Sequence, residues 1–151
     1  MRIIAFFFTM ALFSGTLVAQ DDAPAALKEA FAERFPNAKS VEWEDPEDGV
    51  YEVEFKQDKR EMTANFGENG DWLETEVEIE KDELPAAVKE AIARQFSDLE
   101  FDKAETVSSP ERDLVYEVVF EQDETTVKVT FSPEGEVLDK TVKSEEEEGK
   151  E

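Results

Sequence analysis

Carboxylates are the side chains through which this chain would have to do chemistry. It carries 40 Asp and Glu residues, no histidine and no cysteine. Thiol nucleophiles, imidazole bases and zinc sites built on nitrogen or sulfur ligands are therefore ruled out. A glycosidase-type acid–base pair needs one carboxyl buried so that it keeps its proton near neutral pH. Glu52, Glu54, Glu76 and Glu78 could share a strand face, but they alternate with apolar residues and are expected to lie in water. Calcium wants a shell of oxygen ligands. The best local set is Asn65, Asn69 and Asp71 around Gly70, closed by Glu76, yet Gly67 stands where a ligand belongs. An ordinary hairpin turn is the better reading, and Asp45-Pro46-Glu47-Asp48-Gly49 reads as another turn with acidic decoration. The expectation is a protein that is not an enzyme and has no cofactor, with weak calcium association at most.

The formal charge of −24 sets the partners. Such a field repels nucleic-acid phosphates and anionic membrane surfaces and attracts cations or basic proteins. It also opposes compaction, so the melting temperature is expected to rise with added sodium chloride. A calorimetric scan across a salt series checks this.

Met1-Arg2 and the apolar run to Val18-Ala19 form a secretory signal peptide over residues 1–19, cut before Gln20. The exported chain then has no disulfide available and is held by its core alone. Leu27, Phe31 and Phe35 follow helical spacing, with Asp21, Asp22 and Pro24 at the start and Phe35-Pro36-Asn37 at the end. A second helix runs from Asp82 through Leu84-Pro85, Val88 and Ile92 to Phe96. After each helix the apolar period drops to two. Tyr51, Val53 and Phe55 alternate with charged residues, Met62, Ala64 and Phe66 follow, and then Leu73, Thr75, Val77 and Ile79. Tyr116, Val118 and Phe120, then Val127, Val129 and Phe131, then Leu138 to Val142 repeat the series. Weaker runs at Lys39 to Glu44 and Glu100 to Val107 precede each meander.

The two series superimpose. Leu27, Phe31 and Phe35 meet Val88, Ile92 and Phe96 at one constant offset, and Tyr51, Phe66 and Gly70 meet Tyr116, Phe131 and Gly135 at an offset four residues longer. The insertion is expected near Ser108-Ser109-Pro110-Glu111. The fold class is thus α+β, a tandem repeat of one helix plus a three- or four-stranded antiparallel meander, with the helices on one face of the sheet. The repeats occupy about 21–81 and 82–143 of a domain spanning 20–143, and residues 144–151 form a disordered acidic tail.

Ala23-Pro24 and Leu84-Pro85 before helices, Phe35-Pro36, Val41-Glu42-Trp43, the Tyr51 to Phe55 alternation, and Phe66 through Gly70-Asp71-Trp72-Leu73 resemble the PepSY-like group of secreted bacterial proteins. That group is related in shape to a β-lactamase-inhibitor-type fold. The resemblance implies a periplasmic or secreted, non-enzymatic protein that binds or restrains another exported protein. The second copy departs from the pattern at Ser97, which replaces the proline, and at Val137, which replaces Trp72. Trp72, Val115 and Val119 fall out of phase with the core positions around them and are expected to form an apolar patch on the helix-free face, the alternative for Trp72 being that strand parity breaks at the turn and it packs over the sheet edge. Glu76 and Glu78 beside them would steer a basic partner. The alternative is an acidic, cation-binding or salt-adapted periplasmic protein.

Overall fold

A computed structural model describes residues 23–144; the signal peptide, Asp21-Asp22 and the tail from residue 145 lie outside them, whereas Ser144, assigned to the disordered tail, ends a strand paired with Thr125. Helix α1 (Ala25–Arg34) starts after Pro24, whose carbonyl accepts from the N–H groups of Leu27 and Lys28, and ends where Phe35 N–H donates to the Phe31 carbonyl at 2.8 Å. Strands β1 (Lys39–Trp43), β2 (Val50–Gln57), β3 (Arg60–Gly67) and β4 (Trp72–Ile79) follow. A 3-10 turn (Lys81–Glu83) then leads to α2 (Ala86–Gln95), β5 (Glu100–Ser109), β6 (Arg112–Gln122), β7 (Thr125–Phe131) and β8 (Val137–Ser144). The second helix therefore begins later than Asp82. Leu84 and Pro85 are extended (ψ 142 and 148), because a residue before proline is pushed out of the helical region. The turn ahead of them is closed by a reciprocal Glu80–Glu83 capping box, and Arg60 grips the Glu83 carboxylate with both guanidinium nitrogens at 3.1 and 2.6 Å.

All eight strands form one antiparallel sheet in chain order. The halves are joined where Thr75–Ile79 of β4 pairs with Ala104–Ser108 of β5. The β2–β3 hairpin closes on Asp58 and Lys59, both at positive φ (53 and 68), the twist that a two-residue hairpin turn requires. The four residues by which the two sequence offsets differ are not a loop. They lengthen the β5–β6 hairpin, which turns in two residues at Pro110-Glu111, whereas β1 and β2 are separated by Glu44 to Gly49.

Side chains paired across the ladders share a face. Val53, Phe55, Ala64 and Phe66 pack with Leu27, Phe31 and Phe35 of α1. Ala104, Val118, Phe120, Val127, Val129 and Phe131 pack with Val88, Ala91, Ile92 and Phe96 of α2. The register connects these strand residues through Phe55↔Met62↔Val77↔Thr106↔Tyr116↔Phe131, so both helices cover the same side of the sheet. Among the described residues, the other side carries no helix.

Two glycines at matching turns fix how the helices sit. Gly70 and Gly135 both have positive φ, +87 and +82. A Cβ on Gly135 would lie 2.4 Å from the Ala87 carbonyl oxygen of α2, whereas one on Gly70 would meet only ordinary contacts near 3.6 Å with Ala30. Gly135→Ala is expected to cost about 3 kcal/mol, from left-handed backbone plus overpacking, and Gly70→Ala about 1 kcal/mol from backbone alone. Urea denaturation of the two variants reads the difference.

Candidate functional site

The helix-free face is built by the alternate residues of β2 to β8. One ladder row across it reads Glu54↔Thr63↔Glu76↔Val107↔Val115, and the next reads Glu78↔Glu105↔Glu117↔Thr130↔Asp139. Glu52↔Asn65↔Glu74 lies to one side, and Lys103↔Val119↔Lys128 to the other. Parity brings Glu76, Glu78, Val115 and Val119 together here, as the alternation of the sequence predicts.

Their environment differs from the expectation. Val115 and Val119 are 3% and 8% exposed, so they form no open apolar patch, and Glu76 is 8% exposed rather than in water. Asn65 and Thr130 on the same face are also buried. No layer of secondary structure covers this side among the described residues, so neighbouring side chains on the sheet, among them the Lys103–Glu105 and Lys128–Glu117 pairs, provide the cover. Between β2 and β5 this leaves a hollow of about 500 Å³ whose lining includes Glu42, Glu54, Thr63, Glu76, Glu78 and Glu105. The large exposed apolar residues Val137, Leu138 and Val142 lie elsewhere, on the edge strand β8.

Trp72 is not on this face. The ladder pairs Asn65 with Glu74 but Phe66 with Trp72, so a bulge at Leu73 returns Trp72 to the helix side. There it joins the α1 core, its indole Nε1 donates to Thr75 Oγ1 at 2.8 Å, and the Arg34 guanidinium stacks 3.4 Å from its ring centroid. The same bulge recurs at Leu138, where Phe131 pairs with Val137. Trp72→Ala is expected to cost about 2–4 kcal/mol through lost packing and cation–π contact. Partner capture by the folded fraction should be unchanged; denaturant unfolding and a capture assay on one preparation read both.

Electrostatics on the helix-free face are uneven. Lys128 pairs with Glu117, and Lys103 bonds Glu105 at 3.0 Å, which places both embedded cations toward β5–β7. On the β2–β4 side, burial pushes the Glu76 carboxyl up to about 8; Glu105, Glu117 and Glu74 add to this and Lys128 opposes it. Burial, reinforced by Glu44 and Glu54, pushes Glu52 up to about 7. Glu54 and Glu74 are also raised, chiefly by burial. Glu44, Glu52 and Glu54 can bring one carboxylate oxygen each within 4.8 Å of the others. The Asn65–Asn69–Asp71 stretch is the expected turn: Asn69 Nδ2 donates to Asp71 Oδ2 at 2.6 Å, and Asn65 is buried on the sheet.

The face therefore combines Glu76, Glu78, Val115 and Val119, which the alternation pointed to, with Glu42, Glu44, Glu105, Thr63, Lys103 and Lys128, which it did not single out. Strand parity carried the signal for these residues, but cross-strand register was needed to see them as one surface.

A family model described as "Putative beta-lactamase-inhibitor-like, PepSY-like" matches residues 14–64 and 49–139. The chain is similar in structure to a BLIP-like protein from Bacteroides fragilis, with 27% identity, a TM-score of 0.72, and 80% of this chain and 86% of that chain covered. It is also similar to a putative periplasmic protein from Bacteroides eggerthii, with 24% identity, a TM-score of 0.74, and 80% and 88% covered. No curated protein matches it.

Proposed function

The chain belongs to the PepSY-like, beta-lactamase-inhibitor-like family, and from that premise we propose that it is an exported, non-enzymatic binding module that docks another exported protein on the helix-free face of its sheet. One observation carries this reading: a half-covered sheet leaves a hollow of about 500 Å³ on the face that its helices do not use. A sheet face with unspent hydrogen-bonding and charged groups, held by a core on its other side, suits recognition better than catalysis. Similarity to a putative periplasmic protein and to a BLIP-like protein supports a periplasmic or secreted location and a restraining role. We read the two helix-plus-four-strand halves as copies of one unit. The longer β5–β6 hairpin makes the face asymmetric, so one half dominates binding.

The test is capture of exported proteins of the source organism by the wild-type protein and by Thr63→Trp, which fills the hollow. Loss of a stoichiometric, salt-resistant partner in the variant supports the reading, and equal capture by both refutes it. A second reading, cation binding, has the Glu44, Glu52 and Glu54 grouping in its favour. A saturable calcium enthalpy at physiological salt, lost in Glu52→Gln, would support it.

A further inference from the structure

We propose that strand β8 pairs antiparallel with β8 of a second copy of this chain about a two-fold axis, so that two sheets join edge to edge. The pairing does not depend on the docking face proposed above. Strands β4 and β8 carry the same one-residue bulge, at Leu73 and Leu138, beside the matching pairs Phe66↔Trp72 and Phe131↔Val137. Counted on from that bulge, Thr75–Ile79 of β4 corresponds to Lys140–Ser144 of β8. In the first half this stretch holds the next strand, from Thr75↔Ser108 to Ile79↔Ala104. In the second half it ends the sheet, and among the described residues no further strand pairs with it. Val142 stands where β4 has the half-buried Val77, yet it is 55% exposed.

The far edge of the sheet is blunted. Trp43 and Ala104 are matching positions, since they pair with the matching residues Val53 and Val118. The Ala104–Ser108 segment of β5 that binds β4 therefore corresponds to residues 43–47, which leave β1 after Trp43 and include Pro46. Proline has no N–H to give to a ladder. Within β1 itself Ser40 lies at φ +51, where the register with β2 shifts. Growth of the sheet head to tail, β8 onto the β1 of the next copy, is thereby blocked. A self-complementary pair of β8 strands is what the fold leaves open to two copies.

The charges of β8 complement themselves. Two lysines, Lys140 and Lys143, stand against one acid, Asp139, so the strand is net positive in a chain of formal charge −24. Two copies can thus approach here without opposing their acidic surfaces. In a continuous sheet, paired residues must share a face, and an axis through Thr141 meets that condition. It sets Asp139 opposite Lys143 of the second copy on the helix-free side, and Lys140 opposite Val142 of the second copy on the helix side. The lysine stem then lies over the exposed valine. An axis through Lys140 would instead oppose two lysines.

Sedimentation velocity of the exported protein at physiological salt, joined to cysteine cross-linking, tests this. The wild-type protein should sediment at twice the monomer mass at high concentration and dissociate on dilution. Val142→Lys, a change at an exposed site, should leave the melting temperature unchanged and weaken the dimer at least about tenfold, because it opposes Lys140 of the second copy. The chain has no cysteine, so Thr141→Cys places one thiol per copy at the axis. Mild oxidation should link that thiol to its mate, whereas Glu33→Cys, exposed on α1, should stay unlinked. A protein that is monomeric at every concentration, a dimer untouched by Val142→Lys, or equal linking of the two cysteine variants would each overturn the proposal. Protection of β8 amides from hydrogen exchange only when an exported partner is captured would assign the edge to a foreign strand and likewise overturn it. Thr63→Trp should leave the dimer intact, so failure of the docking face and failure of this pairing are read separately.

Discussion

Replacing Glu76 with glutamine should stabilise the protein at pH 8 by about 2–4 kcal/mol and change it little at pH 5. In the folded protein this carboxyl is held up to about 8, mainly by burial, from an ordinary value of 4.5. Below pH 4.5 both the folded and the unfolded chain carry the proton, so the group has no effect on stability. Between 4.5 and 8 only the folded state holds it. Unfolding then releases a proton, and stability falls as the pH rises through that window; above about 8 the loss is complete. Glutamine has nearly the same shape and does not ionise, so the slope should disappear. Glu52, held near 7, acts with the same sign but more weakly, because it is only partly buried. The opposite contribution comes from Glu83, which Arg60 and the Glu80 backbone hold down at about 2: its stabilisation is present above pH 4.5 and lost as the pH falls toward 2. Urea denaturation of both proteins at pH 5 and pH 8 reads the effect. An equal or lower stability of Glu76→Gln at pH 8 would mean that the carboxylate is already paired.

Phe31→Ala should cost about 4 kcal/mol, the largest loss expected from a single side chain. Its ring centroid lies 5.4 Å from Phe35, 5.6 Å from Trp43, 5.0 Å from Phe55 and 6.3 Å from Phe66, and three of these four contacts are edge-on, the arrangement that suits aromatic quadrupoles. One truncation thus removes the link between α1 and three strands and leaves a cavity that rigid neighbours cannot collapse. The matching position in the second half is Ile92, and there the aromatic contacts pass instead through Phe96, which stacks on Phe120 at 5.5 Å and meets Phe131 edge-on at 5.8 Å. Ile92→Ala should therefore cost less, about 3 kcal/mol. Equilibrium unfolding in urea ranks the two, and the reverse order would show that the halves do not divide their cores in this way.

Much of the fold could be read from local pattern. The Leu27–Phe31–Phe35 spacing and the alternation of Tyr51, Val53 and Phe55 correspond to α1 and β2, and the weak runs at Lys39 and Glu100 are strands β1 and β5. Trp72 escaped because a one-residue bulge at Leu73 reverses its parity, and a bulge depends on the partner strand, which periodicity alone does not describe. The late start of α2 escaped because the acidic residues from Asp82 form a capped turn of their own before Pro85. For the candidate site, parity placed Glu76, Glu78, Val115 and Val119 on one face. Glu78 is exposed as expected, but the burial of Glu76, Val115 and Val119 was not legible, because it depends on cross-strand neighbours such as Lys103 and Lys128 that are distant in sequence. The raised carboxyls follow from that burial and were hidden with it.

Lysine footprinting of the captured complex tests the docking face most directly. Lys56, Lys103 and Lys128 project on the helix-free side, whereas Lys28 and Lys89 belong to α1 and α2. Acetylation of the protein alone and with its partner bound should show Lys56, Lys103 and Lys128 protected and Lys28 and Lys89 unchanged. Protection of Lys28 and Lys89 with the sheet lysines still reactive would place the partner on the helices and contradict the account.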